Sequence, residues 1–165
     1  MSMEIRLVRI DDRLIHGQVA TVWTKTTKAN RILVVSDSVA KDELRKTLLK
    51  QAVPPGVKAN VITVKKMVDI THDPRFSSFK AMLLFTNPED VVKVVKNHAD
   101  IKTINIGSMS YAEGKKMITN AVAVDQNDVD AFKYLHEKGI ELEIRKVASD
   151  SKVNMMKLLK KEGLV

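Results

Sequence analysis

Residues 5–27 read IRLVRIDDRLIHGQVATVWTKTT, in which a short apolar run, a polar loop and a longer amphipathic stretch follow one another. The apolar run predicts a strand over residues 5–10, and the amphipathic stretch predicts a helix from residue 15 to about residue 27. The same order recurs along the chain. Compact runs such as RILVVS at 31–36 and AMLLF at 81–85 are typical of strands buried on both faces of a sheet.

The rest of the chain continues this alternation. Further strands are predicted over residues 60–64, 103–106, 121–124 and 141–147. Further helices are predicted over residues 39–53, 65–70, 88–98, 128–138 and 153–162. We therefore expect one α/β domain over residues 1–165, with an open, mostly parallel twisted sheet of about seven strands and helices on both faces. Ligand sites in such sheets lie at the carboxyl ends of the strands.

Composition limits the class of protein. Of 165 residues, 44% are hydrophobic and 29% charged, which is typical of a soluble globular domain. The absence of cysteine excludes disulfides and thiolate metal sites. The N-terminal residues do not resemble a secretory signal, and no apolar run approaches the ~20 residues that span a bilayer. These features predict a cytoplasmic protein.

The net charge of +8 raises the question of a nucleic-acid partner. Only 4% of the residues are aromatic, too few for a base-stacking platform. The lysines are also spread along the chain. We therefore expect no nucleic-acid partner, and a basic surface that suits acidic proteins or anionic lipid headgroups.

The loop after the first predicted strand carries the candidate chemistry. His16 is a possible phosphoryl acceptor, because a neutral imidazole nitrogen is nucleophilic near pH 7. Arg9 and Arg13 would place positive charge around it, and the backbone amides of Gly17 and Gln18 at a helix start would favour an anion.

An aspartate of this loop, Asp11 or Asp12, could hold the proton of the other ring nitrogen of His16. A simpler alternative stays open. In it Asp12 caps the helix, the arginines pair with the aspartates, and His16 only packs.

The string VRIDDRLIHGQVATVW at residues 8–23 resembles the N-terminal signature of the IIB components of the mannose/fructose/sorbose phosphotransferase family. The family pattern D-x-R-L-I-H-G-Q-V is matched from Asp11 to Val19 without interruption. The resemblance implies that His16 is phosphorylated and that Arg13 and Arg9 contact the phosphate. It also implies a phosphocarrier that needs no cofactor.

The resemblance further implies the partners. The phosphoryl group would come from a IIA component and pass to a sugar held by the membrane components IIC and IID. The chain would thus act as a protein-histidine phosphate–sugar phosphotransferase subunit, in the cytoplasm and peripherally associated with the permease. Association into homo-oligomers is left open.

One segment departs from the family pattern. We expect a glycine-rich loop of the kind N-x-G-G-M, where this chain has NIGSM at residues 105–109. Gly107 and Ser108 are accordingly predicted as accessory phosphate contacts, the glycine allowing close backbone approach.

No metal site is predicted, because His72, His98 and His136 do not have ligand spacing.

Two other functions remain as alternatives. The chain could be a non-catalytic regulatory or ligand-binding module of the same fold, in which His16 is never phosphorylated. It could also be a small nucleotide-binding domain, but no GxGxxG follows the first strand and no GxxxxGK[ST] occurs in the chain.

Overall fold

The computed structural model describes residues 2–165 apart from the side chain of Gln18, and within them nine strands and seven α-helices form. The strands are β1 (Glu4–Asp11), β2 (Arg31–Val35), β3 (Lys58–Ile62), β4 (Lys80–Phe85), β5 (Thr103–Ser108), β6 (Lys116–Met117), β7 (Ala123–Val124), β8 (Glu141–Ile144) and β9 (Val153–Asn154). The helices are α1 (Gly17–Thr27), α2 (Asp37–Ala40), α3 (Glu43–Gln51), α4 (Val64–Ile70), α5 (Pro88–Lys96), α6 (Gln126–Glu137) and α7 (Met155–Lys161). A short 3-10 helix covers Pro74–Phe76.

Seven strands form one sheet in the order β3-β2-β4-β1-β5-β8-β9. Every neighbouring pair is parallel except β8 and β9. The predicted fold class, an open and mostly parallel α/β sheet of about seven strands, is confirmed. The chain leaves β1 toward β2 on one side and leaves β5 toward β8 on the other. The carboxyl ends of β1 and β5 therefore flank a topological switch point, where ligands bind in such sheets.

Apolar side chains cover both faces of the sheet. The larger core contains residues of α4, α5, α6 and α7, such as Phe132. The smaller core lies under α1, α2 and α3 and includes Trp23 and Leu84. Successive residues of a strand point to opposite faces, so Ile10 enters the larger core while Arg9 points toward α1.

The helix predicted over residues 39–53 is wrong as a single element, because two helices occupy this region. Ser36 caps α2 by accepting a hydrogen bond from the amide of Val39, and Asp42 caps α3 by accepting from the amide of Arg45. An aspartate that accepts from the third residue after it starts a new helix, which interrupts the preceding one.

The strand predicted over residues 121–124 exists only in part and does not join the large sheet. Ala123–Val124 pairs antiparallel with Lys116–Met117 as a separate two-stranded ribbon. The seventh position in the sheet belongs to Val153–Asn154, which was predicted as the start of a helix. An apolar run of four residues indicates a buried strand but does not say which strand it pairs with.

Candidate active site

The loop between β1 and α1 lies at the switch point and forms a tight turn. The amide of Leu14 donates to the carbonyl of Asp11 at 2.9 Å, and Leu14 has a left-handed backbone with φ 61°. The side chains of Leu14 and Ile15 are buried in the smaller core. This burial anchors the loop and stabilises a backbone conformation that is uncommon for leucine.

His16 follows the anchored pair and is the N-cap residue of α1. Its Nδ1 lies 2.8 Å from the carbonyl oxygen of Leu14. Because a carbonyl oxygen only accepts, Nδ1 donates in this conformation, and the neutral ring carries its lone pair on Nε2. Among the described residues, the buried Nε2 atom has no hydrogen-bond partner. One ring nitrogen is thus engaged and the other is enclosed.

The first amides of α1 are not capped by any side chain that the structure describes. His16 makes no side-chain bond to them, whereas Asp42 and Asn87 cap α3 and α5 in this way. Uncapped amides at a helix start favour an anion. The backbone of Gly17 and Gln18 belongs to this group, and φ 47° at Gly17 favours glycine. The side chain of Gln18, a predicted phosphate contact, lies outside the described residues.

Arg13 is the exposed cation of the loop. Its backbone amide and its Nε lie 3.1 Å and 3.4 Å from Oδ1 of Asp11, and 44% of its side chain is exposed. Its two terminal nitrogens make no hydrogen bond within the described part of the chain. They are therefore free to bind an anion near the start of α1, while Asp11 holds the other end of the guanidinium.

Arg9 lies below the loop. Its side chain is 1% exposed, and its guanidinium donates to Asp11 Oδ2 at 3.1 Å, to Asn105 Oδ1, and to the carbonyls of Arg145 and Lys146 at 2.9 Å each. Burial lowers the pKa of Arg9, and the charge and hydrogen bond of Asp11 oppose this shift. The predicted contact of Arg9 with phosphate is therefore not made in this conformation, because its donors are used internally.

Gly107 provides the space for Arg9. A β-carbon at Gly107 would overlap Nη2 and Cζ of Arg9 and would lie 2.8 Å from Oδ2 of Asp11. The pairing of β1 with β5 shifts here, from Ile10 opposite Ile106 to Asp11 opposite Ser108, so Gly107 is the extra residue of a bulge. Glycine permits close approach as predicted, but the approaching group is Arg9 rather than a ligand.

Asp12 ties the loop to the end of β5. Its amide donates to the carbonyl of Ser108 at 3.1 Å, and its carboxylate accepts from the hydroxyl of Ser108 at 3.3 Å and from the amide of Ser110. Ser108 is buried, so its hydroxyl supports the loop in this conformation. The alternative in which Asp12 caps α1 is wrong, because its carboxylate faces the other loop.

The expected role of an aspartate in orienting His16 is also wrong for this conformation. The carboxylate of Asp11 is shared between Arg9 and Arg13, and the carbonyl of Leu14 takes the proton of Nδ1 instead. The turn places that carbonyl next to the ring. Asp11 thus pairs with Arg9 and Arg13 rather than with the imidazole of His16.

Trp23 of α1 packs between two arginines. Its ring centroid lies 5.4 Å from Cζ of Arg9 and 5.6 Å from Cζ of Arg145, and its Nε1 donates to the carbonyl of Lys146 at 3.1 Å. At 4% exposure it is buried between α1 and the sheet. Stacking of guanidinium on indole stabilises the buried charge.

Arg45 was missed from the sequence. This residue of α3 donates through Nη2 to the carbonyl of Asp12 at 3.2 Å and is exposed. It adds a second exposed cation beside the loop. The sequence contains a signal for this position. Asp42 is a favourable N-cap residue, and the helix that begins after it turns Arg45 toward the loop.

A group of carboxylates at the starts of α5 and α6 was also missed. Ligand atoms of Glu89, Asp125 and Asp128 lie within 4.8 Å of one another, and Lys115 pairs with Asp128 at 3.1 Å. Burial, with the hydrogen bond and charge of Asp128, raises the pKa of Glu89 to about 7. The spacing could hold a divalent cation, but the lysine already supplies positive charge. Asp125 and Asp128 form the capping box of α6, whereas Glu89 belongs to another helix, so no local motif reveals the group.

A cavity of about 480 Å³ lies at the opposite edge of the sheet, at the amino ends of β1 and β5. Its lining includes Glu4, His72 and Lys102. Parallel strands place their carboxyl ends at the other edge, so this cavity is remote from His16. None of the helices within residues 2–165 has the length and apolar character needed to cross a membrane.

Comparison with known proteins places the chain in a family. The family model described as "PTS system sorbose subfamily IIB component" matches residues 5–165. The chain belongs to this family of phosphotransferase-system IIB components. The resemblance noted in the signature around His16 is confirmed.

Individual relatives agree with this assignment. The chain is 54% identical over 159 residues to the mannose-specific EIIAB component of Escherichia coli strain K12, an alignment that covers 96% of this chain and 49% of the relative. The chain thus spans about half the length of that relative. It is 49% identical over 154 residues to the sorbose-specific EIIB component of Klebsiella pneumoniae, covering 93% of this chain and 94% of the relative.

The fold agrees as well. The crystal structure of the IIBSor domain of the sorbose permease from Klebsiella pneumoniae superposes with a TM-score of 0.94 at 47% identity, covering 96% of this chain and 98% of that chain. A similarity of this degree extends over the whole sheet and both helical layers.

Proposed function

We propose that the chain carries a phosphoryl group on His16, accepting it from a IIA component and transferring it to a sugar bound by the membrane components IIC and IID. The observation that supports this most directly is the juxtaposition at the start of α1. There His16 adjoins helix amides that it does not cap, and the terminal nitrogens of Arg13 make no hydrogen bond with any group that the structure describes. A labile anion held at a histidine needs this combination of nucleophile and donors.

Each group of the loop has a distinct part in this proposal. Arg13 and the amides of Gly17 and Gln18 stabilise the negative charge of the transferring group. Asp11 orients Arg13 by accepting from its Nε. The buried Arg9 holds Asp11, and its role is to support rather than to contact the phosphate.

Ser108 and Gly107 maintain the loop geometry from β5. The hydroxyl of Ser108 holds Asp12, and Gly107 leaves room for Arg9. Arg45 adds positive charge from α3. With these roles the reaction proceeds without a cofactor of the chain's own.

The transfer consists of two displacements. A ring nitrogen of His16 attacks the phosphorus of a phosphohistidine on IIA, and the P–N bond to IIA breaks as the new P–N bond forms. The other nitrogen of His16 keeps its proton. A sugar hydroxyl then attacks the phosphorus, the P–N bond to His16 breaks, and the hydroxyl proton is released to a base or to water. The products are a sugar phosphate and the original His16.

Phosphoryl transfer requires a local rearrangement of His16. In the structure Nδ1 is bonded to the carbonyl of Leu14, and Nε2 is enclosed. An incoming phosphorus atom reaches the ring only when the Nδ1 bond breaks or when Nε2 is uncovered. This rearrangement occurs at the exposed start of α1 and at Leu14. The left-handed backbone of Leu14 is strained, and release of that strain offsets part of the free energy that the rearrangement requires.

Relatives support the assignment of the partners. The name of the Escherichia coli relative, EIIAB, joins an A and a B component, and this chain aligns with about half of it. We propose that the phosphoryl donor belongs to the class of domain named by the A in EIIAB. A cytoplasmic location, peripheral association with the membrane permease, and one IIB domain over residues 1–165 belong to the same proposal.

The test is intact mass after incubation with phosphoenolpyruvate, the general phosphotransferase proteins and a cognate IIA. Wild type should gain one acid-labile phosphate, and His16→Ala should gain none. His136→Ala, which alters an exposed histidine of α6, is the matched control and should behave as wild type. No phosphate on wild type, with a IIA shown to be phosphorylated, would favour the non-catalytic ligand-binding module.

A further inference from the structure

Three polar residues form a row across the middle of the sheet. Arg9 of β1 pairs with Asn105 of β5, and Asn105 pairs with Glu143 of β8. Directly opposite residues of adjacent strands point to the same face, here the face covered by α1. All three are buried, with 1%, 0% and 5% exposure. Buried polar side chains destabilise a fold unless each one has a hydrogen-bond or ionic partner. The partners of these three residues therefore indicate what keeps them in place.

An ion pair followed by hydrogen bonds connects the row from the edge of the sheet to the loop. Lys152 pairs with Glu143 Oε2 at 3.4 Å, and Glu143 Oε1 accepts from the side-chain amide of Asn105 at 3.4 Å. Asn105 Oδ1 accepts from Arg9, which donates to Asp11. The same carboxylate of Asp11 then accepts from Nε of Arg13 beside His16.

Glu143 and Arg9 favour the same orientation of the Asn105 amide. The carboxylate of Glu143 only accepts, so it takes the NH₂ group of Asn105, and the carbonyl oxygen is left toward Arg9. Without Glu143 the buried NH₂ group loses its acceptor, so Asn105 is held by Arg9 alone and its carbonyl oxygen can shift away from the guanidinium. Arg9 would then keep one side-chain acceptor, Asp11, and would draw it away from Arg13.

We propose that Glu143 and Asn105 are positioning residues for the phosphoryl-transfer loop. Through Arg9 they hold Asp11 in the orientation that fixes Arg13 beside His16. Neither residue touches the transferring group. The link to catalysis rests on the proposed role of His16, whereas the coupling of Glu143 to Arg13 does not depend on it.

The chain offers a closely matched control. Glu141 and Glu143 both belong to β8 and both pair with Lys152, at 3.5 Å and 3.4 Å. Glu141 is exposed, and only Glu143 contacts Asn105. Comparing Glu143→Leu with Glu141→Leu therefore separates the effect of losing the contact with Asn105 from the effect of losing an ion pair with Lys152. Glu143→Gln tests rescue, because its amide oxygen can still accept from Asn105.

Two readouts are measured on the full chain. The first is the NMR signal of the Arg13 Nε–H group, which reports its bond to Asp11 without any phosphoryl transfer. The second is the single-turnover rate of transfer from phosphorylated IIA as a function of IIA concentration. Thermal unfolding of each variant shows that it is folded.

In Glu143→Leu we expect the Arg13 Nε–H signal to broaden or shift, and the rate at saturating IIA to fall about tenfold with an unchanged half-saturating concentration. Glu141→Leu should match wild type in both readouts, and Glu143→Gln should restore both at least in part. If Glu143→Leu does not fold, Asn105→Ala replaces it, because alanine contacts neither Glu143 nor Arg9 through a polar group and likewise leaves Arg9 with Asp11 as its side-chain acceptor.

A folded Glu143→Leu with an unchanged Arg13 signal and an unchanged rate would overturn the proposal, even if its melting temperature falls. Equal effects of Glu141→Leu and Glu143→Leu would overturn it too, since the ion pair with Lys152 would then suffice. A changed Arg13 signal in a chain whose wild type accepts no phosphate would support the coupling, and in that case it is the proposed function of His16 that fails.

Discussion

The guanidinium of Arg9 occupies the space that a side chain at residue 107 would need, so the buried charge and the glycine depend on each other. Arg9 in turn contacts both Asp11 and the ring of Trp23. The size of residue 107 is thereby linked to the position of the loop that carries His16.

Gly107→Ala should therefore destabilise the chain and disturb the loop. Forcing Arg9 to move is an overpacking change, for which we expect a loss of about 2–3 kcal/mol in the free energy of unfolding. Trp23 is the single tryptophan of the chain, so its fluorescence reports the movement of Arg9. Chemical denaturation and the emission spectrum measure both effects.

Gly114→Ala is the control for Gly107→Ala. Apart from Gly114 and its two chain neighbours, no described residue has an atom within 4 Å of a β-carbon placed at Gly114, but its φ of 88° is left-handed. We expect a cost of about 1 kcal/mol from backbone strain and no change in tryptophan emission. If the two variants lose equal stability and leave the emission unchanged, the close packing of Arg9 on Gly107 is not what makes glycine necessary.

The fold was largely predictable because its strands are compact apolar runs separated by amphipathic stretches. The position of the site followed from topology, since the loops at residues 11–17 and 108–115 both leave the sheet at its switch point. The burial of Arg9 was not predictable. Its acceptors at Asn105 and at residues 145–146 are 96 to 137 positions away in sequence. From the local sequence alone, an arginine at the end of a strand beside the loop suggests a phosphate contact.

Arg13 is the residue whose loss should reduce transfer most among the arginines. Its terminal nitrogens have no hydrogen-bond partner among the residues that the structure describes, and its fork geometry suits phosphate. In Arg13→Gln we expect the transfer rate at saturating IIA to fall by about 10²–10³, as for the loss of one preorganised donor to a developing charge. Arg13→Lys keeps the positive charge but lacks the planar donor fork of the guanidinium. Its transfer rate should therefore remain about tenfold below that of wild type.

Arg75→Gln serves as the reference for the Arg13 variants, because Arg75 is an exposed arginine paired with Asp73 on the 3-10 helix. Its rate should equal that of wild type. Single-turnover kinetics with phosphorylated IIA measure all three variants. A rate of Arg13→Gln within twofold of wild type would remove Arg13 from the proposed site.

Salt should weaken docking more than it slows the chemical step. The chain has a net charge of +8, and a phosphorylated donor brings a dianion to its surface. Added salt shortens the reach of exposed charges to about 3 Å at 1 M, so the half-saturating IIA concentration should rise with ionic strength. The rate at saturating IIA should change little. Indifference of both quantities to potassium chloride would argue against an electrostatic docking surface.

Glu89 should make stability fall as the pH rises. Burial and the neighbouring Asp128 raise its pKa to about 7, so the folded chain binds this proton more tightly than the unfolded chain does. The stabilisation by that proton is fully present below the pKa of an unfolded-chain glutamate, near 4.3, and is lost as the pH approaches 7. Glu89→Gln keeps the shape of the neutral glutamate side chain and removes the ionisable group.

The free energy of unfolding of Glu89→Gln relative to wild type should therefore increase between pH 5 and pH 8. Because Glu89 is only partly buried, solvent screening reduces the expected gain to about 1 kcal/mol. Chemical denaturation at a series of pH values measures it. Glu137→Gln, an exposed change at the end of α6, should show no such trend. A constant difference between Glu89→Gln and wild type across this range would mean that Glu89 is ionised throughout and that Lys115 already compensates the carboxylate group.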